Sequence, residues 1–86
     1  MKIKKELIKR EIAGDVILVP VGKTALENNG LFMLNGVAGF LWDILPEAEN
    51  EEALVTRLFW EYEVDEKTAR ADVSAFLDKL KKMEIL

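Results

Sequence analysis

Four consecutive apolar residues, Leu31-Phe32-Met33-Leu34, lead through Asn35 into three amphipathic stretches of helical spacing, and no further strand signal follows. That order constrains the fold more than any other feature of the chain. A strand so uniformly apolar needs cover on both faces. Helices can cover one face; the other must meet further protein or a partner. Two placements satisfy this, a covered strand inside a sheet or a strand at the sheet's edge. An edge strand carries unpaired backbone N–H and C=O groups, which need protection or accept an added strand. With a long helix beside it, such an edge becomes a groove suited to an extended peptide.

Upstream of this run the pattern is that of strands. From Glu6 to Ile12 charged and apolar residues alternate, and Ile8 and Ile12 share a face with the aliphatic stem of Arg10. Ala13-Gly14-Asp15 supplies turn chemistry. Val16-Ile17-Leu18-Val19 is a β-branched run that reads as a second strand, and Pro20 marks its end or an unpaired position, since proline has no N–H for the ladder. Gly22 to Asn29 reads as the main loop, in which Thr24-Ala25-Leu26 either extends the second strand or makes a short rung. Asn28-Asn29-Gly30 is a turn signal. The lysine-rich start, residues 1–5, is expected to be a flexible tail.

After the third strand, Asn35, Asn50 and Asp65 each stand where a side-chain oxygen can cap a helix. Val37, Phe40, Leu41, Ile44 and Leu45 form the stripe of the first of these helices, with Trp42 to its side and Pro46 as its stop. Leu54, Val55, Leu58, Phe59 and Tyr62 form the apolar face of the second. Ala69, Val73, Phe76, Leu77 and Leu80 form that of the third, whose last turns hold Lys79, Lys81 and Lys82, where cations suit the helix dipole. Ile85 and Leu86 are expected to fold back onto the core. The pattern predicts one α+β domain over 1–86, with a three-stranded antiparallel sheet covered on one face by three α-helices.

Composition narrows the function. The chain has 86 residues, one-half of them hydrophobic, and a formal net charge of −4. An acidic balance argues against a nucleic-acid partner, because phosphate contacts need a basic face. Cysteine and histidine are absent, so disulfides, Cys/His zinc sites, thiolate nucleophiles and imidazole bases are excluded. No Asp-rich calcium loop is visible, and no metal or cofactor is expected. The longest apolar run upstream, Val16 to Val21, is too short to span a bilayer. No signal peptide opens the sequence, and a cytoplasmic location is expected.

Several clusters have simple structural readings. Glu47, Glu49, Glu51 and Glu52 straddle a helix N-terminus, where acids suit the dipole. Gly30, Gly36 and Gly39 match neither the dinucleotide nor the P-loop spacing; Gly39 instead suits close packing of a helix against a neighbour. Phe59 and Tyr62 read as core or near-core residues. Trp60 lies toward the rim of its helix's apolar face, between partner contact and partial burial.

The residues as a set resemble the PqqD family, the peptide-recognition proteins named after pyrroloquinoline quinone biosynthesis. The resemblance runs from about Glu6 to Leu86. It rests on Leu34-Asn35 before the first amphipathic helix, Trp42 and Leu45 within it, Tyr62-x-Val64 between helices, and Asp72-Val73 with Phe76-Leu77-x-x-Leu80 on the last. The family's last helix usually runs into a glycine; here Met83-Glu84 stands in that place. The resemblance implies a winged-helix-like fold and a non-catalytic protein that binds the leader of a ribosomally made precursor peptide by strand addition. It implies an edge at Leu31, Phe32, Met33 and Leu34, and a cleft wall that includes Asp72, Phe76, Lys79 and Leu80. The implied partner enzyme is a radical S-adenosylmethionine maturase. On this reading Phe76→Ala weakens peptide binding and leaves the fold intact, and Lys79 and Lys82 attract leader acids.

Two other functions fit the same elements. A winged-helix DNA-binding domain would present Arg, Lys, Asn or Gln from its recognition helix, whereas the last helix here mixes Glu66, Asp72 and Asp78 with its lysines. An oligomerisation module would use the same strand edge to pair two chains, giving a homodimer. Without a nucleophile–base pair, an enzyme is the least favoured class.

Overall fold

The computed structural model describes residues 1–27 and 32–86. Strands β1 (Leu7–Ile12) and β2 (Asp15–Pro20) form a hairpin, a short helix α1 (Gly22–Glu27) follows, and β3 (Phe32–Leu34) completes the sheet. Then come α2 (Gly36–Ile44), a single 3-10 turn (Leu45–Glu47), α3 (Glu51–Tyr62) and α4 (Glu66–Lys82). The sheet is antiparallel in the order β1-β2-β3. The α+β architecture expected from the sequence is the one observed.

The hairpin closes through Ala13 and Gly14, whose φ values of 52° and 86° are both positive. Two left-handed residues match the right-handed twist of the strands, as in a type I′ turn. Glycine adopts that backbone freely, which is what the second turn position requires.

All three expected caps form. The Asn35 side chain accepts from the Ala38 amide at 2.7 Å, Asn50 from Ala53 at 3.0 Å, and Asp65 from Thr68 at 2.7 Å. Each satisfies an N–H that the helix itself leaves unpaired. The Thr68 hydrogen bonds hold the Asp65 carboxyl below the ordinary aspartate range.

The helices cover one sheet face. Leu18 and Leu34 join Leu41, Leu45, Leu54, Leu58, Val73, Leu77, Leu80 and Ile85 in one buried cluster. Gly39 is buried against the sheet: a Cβ there would stand 3.2 Å from a Val16 methyl, a tight contact that the bare α-carbon avoids where α2 approaches β2. Between α3 and α4, Arg70 bonds Glu52 and also Glu66 one turn before it. Those hydrogen bonds hold the Glu52 carboxyl below its ordinary range.

Three local expectations differ from the structure, and a fourth falls outside what it describes. Gly22–Glu27 is a helix and not a loop; the Thr24 hydroxyl is buried and accepts from the Glu6 amide at 2.7 Å, tying α1 to the start of β1. The turn signal Asn28-Asn29-Gly30 lies outside the described residues. Residues 1–5 do not hang free: Met1 and Ile3 pack against the core, Lys4 donates to the Ile85 carbonyl at 2.7 Å, and the Met1 nitrogen donates to Leu45 and Ala48. Phe59 and Tyr62 remain substantially exposed at the rim of α3, where Tyr62 stacks edge-on against Phe40 and Phe59 against Trp60.

The end of α4 needs no glycine. Ile85 donates to the Leu80 carbonyl and Glu84 to the Lys81 carbonyl, at 2.9 and 3.1 Å. This is the paired bonding of a Schellman cap, in which the first residue past the cap is left-handed. Glu84 fills that position at φ 59°, where a side chain costs roughly 1 kcal/mol relative to glycine. Glu84→Gly is therefore expected to stabilise the fold by about 1 kcal/mol, read as a higher urea midpoint with an unchanged slope. A lower midpoint would contradict the cap.

Candidate functional site

The direction of each backbone group at β3 follows from the hairpin. A two-residue turn makes Ile12 and Asp15 a hydrogen-bonded pair, and such pairs alternate with non-bonded ones along an antiparallel ladder. With the observed register, Arg10↔Ile17 is then a bonded pair and Leu7↔Pro20 is not. Pro20, which has no N–H, thus sits where none is needed. Bonding resumes at the next position, where the Val21 amide donates to the Glu6 carbonyl at 3.0 Å.

Because Ile17 spends its N–H and C=O on β1, it has none for β3. Its partner Met33 therefore turns both backbone groups away from β2, while Phe32 and Leu34 turn theirs toward it. Among the described residues β3 pairs with β2 alone, so on this side the sheet ends in one outward N–H and C=O pair, at Met33; the other edge, β1, lies on the far side of β2. The sheet face opposite the helices is covered only in part: Ile17 is buried on it, whereas Ile8, Ile12 and Met33 lie exposed, Met33 at 55%.

Beside this edge lies a cleft of about 210 Å³ between the end of β3, the start of α2 and one face of α4. Leu34, Val37, Ala38, Leu41, Ala75 and Phe76 give it an apolar lining, and Asn35, Asp72 and Lys79 add polar groups. Asp72 and Lys79 are seven residues apart, roughly 10 Å of helix rise. The Lys79 ammonium donates to the outward Met33 carbonyl at 3.0 Å.

The cleft can hold apolar side chains and the edge can pair with a backbone. It carries no nucleophile–base pair, and among the described residues no group of carboxylates is arranged to hold a metal ion. No helix among them is long and apolar enough to cross a membrane.

The structure brings Leu34, Asp72, Phe76 and Lys79 together at this cleft. Met33 stands at the edge with its side chain on the opposite face. Phe32 is half-buried on the helix side. Leu31 lies outside the described residues. Leu80 does not line the cleft: it is 1% exposed and belongs to the core behind it. Phe76 touches the cleft with one edge but is only 5% exposed, a core side chain first. Lys82 is engaged by Asp78 at 3.2 Å and is not part of the lining. In the sequence Asn35 reads as a cap and Val37 and Leu41 as a helix stripe, and neither they nor Ala38 and Ala75 are assigned to the site. The spacing of Asp72, Ala75, Phe76 and Lys79 at i, i+3, i+4 and i+7 was the available signal, since it defines one helix face.

Elsewhere, Trp60 is 76% exposed, so the partial burial considered for it does not occur. Glu47, Glu49, Glu51 and Glu52 are exposed around the start of α3.

The family model described as "Coenzyme PQQ synthesis protein D (PqqD)" matches residues 16–86. No curated protein matches the chain. Among solved structures it is similar to a chain described as TbiB1 in complex with the TbiA(beta) leader peptide. That match has a TM-score of 0.73 and 29% identity, and it covers 100% of this chain and 94% of the other.

Proposed function

This chain belongs to the PqqD family, and we propose that it binds the leader segment of a ribosomally made precursor peptide by adding it as a fourth strand at the β3 edge. One observation carries the reading: the outward N–H and C=O of Met33 stand beside an apolar cleft. The similarity to a chain solved in complex with a leader peptide supports it. Backbone bonds to Met33 would fix the register whatever the sequence of the segment, and the cleft would select the side chain that enters it.

In this role the protein does no chemistry. It holds the precursor in an extended form and presents it to a modifying enzyme, in keeping with the family a radical S-adenosylmethionine maturase. Phe32, Met33 and Leu34, with Asp72, Phe76 and Lys79, form the contact region, and Leu80 supports it from the core.

The free edge favours one competing reading, in which β3 pairs with β3 of a second copy. Titration of a synthetic leader, taken from a short reading frame beside the gene, separates the two. Calorimetry is expected to give one peptide per chain, with light scattering reporting a monomer before and after. A dimer that the peptide leaves intact, with no heat of binding, would replace this reading with self-pairing.

A further inference from the structure

We propose that Lys79 selects the segment that docks at this edge, and that the preferred segment carries a carboxylate two residues away from the apolar side chain that fills the cleft. The inference rests on the strand-addition reading and adds the charge requirement to it.

In the chain as it stands, the Lys79 ammonium occupies the outward carbonyl of Met33. A lysine laid over a strand edge is a common protection against unwanted pairing. An added strand needs that same carbonyl for its own N–H, so the ammonium must leave. The cleft offers it no substitute: Asp72, the other charged lining residue, is roughly 10 Å away along α4. The neighbouring Asp78 is engaged by Lys82. An ammonium displaced without a partner returns to water and competes for the carbonyl again. A carboxylate on the incoming segment would keep it away.

The register says where that carboxylate belongs. In an antiparallel addition the residue opposite Met33 exchanges both backbone bonds with it and points its side chain to the outer face. The residue before it lies opposite Leu34 and points inward, into the cleft that Leu34 lines. The residue after it lies opposite Phe32, also inward. Phe76, Ala75 and Asp72 share the cleft with Leu34, Asn35 and Ala38, whereas Lys79 reaches back to Met33. Lys79 bonds the Met33 carbonyl, which lies between these two inward positions, so an acid at either one is within its reach. The preferred pattern is an apolar residue and an Asp or Glu two positions apart.

A displayed library of random peptides about ten residues long, selected on the full chain, tests this. Peptides recovered on the wild type are expected to be enriched in that pattern. For a recovered peptide, exchanging its Glu for Gln is expected to weaken binding roughly two- to fivefold at low salt, the span of an exposed ion pair. With Lys79→Met the Glu-to-Gln ratio should fall to about one, and with Lys79→Arg it should persist. Peptides that bind wild type without an acid preference would overturn the role of Lys79 and leave strand addition standing. If the folded wild type recovers no peptide, strand addition itself fails, and this inference with it.

Discussion

Met33→Pro is expected to weaken leader binding by roughly 10- to 100-fold while the chain stays folded. The two halves of that result come from one geometric fact. Met33 turns its N–H away from β2, so removing it breaks no bond of the native ladder. Proline is tolerated at such edge positions, and the residue before it, Phe32, is already extended as proline demands. The docked segment, however, loses its partner at the same position. It is left with a carbonyl withdrawn from water and unbonded, at roughly 1–3 kcal/mol. Met33→Ala keeps the N–H and separates backbone from side chain; it should cost far less. Calorimetry on both variants, beside a thermal scan to verify folding, checks this. Undiminished binding by a folded Met33→Pro would remove β3 from the interface.

Phe76→Ala is expected to destabilise the fold by about 3–5 kcal/mol, the usual cost of emptying a buried aromatic site. The ring is 5% exposed among the residues that α4 buries. A domain this small has roughly 4–13 kcal/mol in total, so the variant should melt at least about 15 °C lower. This reverses the simpler reading of α4, in which Phe76 belonged to the cleft and was dispensable to the fold. It also makes Phe76→Ala a poor probe of binding. A loss below about 1 kcal/mol in urea unfolding would return the ring to the surface.

Most of what was legible in the sequence is local. Asn35, Asn50 and Asp65 declare their caps because a capping oxygen needs only its own helix's first turn. Ala13-Gly14-Asp15 declares a turn, and with the observed register the direction of every ladder bond follows. The uniform apolarity of the third strand left a covered strand and an edge strand both open, and β3 has one strand neighbour among the described residues.

What was hidden depends on residues far apart in the chain. Lys79 meets Met33 across 46 positions, and no periodicity reports such a contact. Phe76 belongs both to the apolar stripe that holds Leu80 and to the face that carries Ala75, and only the packing of α2 separates floor from core. Gly22–Glu27 is too short for a helical repeat to show, and helices of that length depend on tertiary ties, here the buried Thr24 hydroxyl. Residues 1–5 read as a tail because their charges dominate, yet Met1 and Ile3 alternate with those charges and pack inward.

The most direct measurement is hydrogen exchange at the Met33 amide, followed by NMR with and without saturating leader peptide. In the free chain this amide faces solvent at the sheet's last rung and should exchange quickly, unlike those of Phe32 and Leu34. With the peptide bound, exchange at Met33 should slow at least tenfold, as expected for an amide newly held in a ladder bond. A peptide that binds tightly while Met33 exchanges as fast as before would contradict docking at this strand.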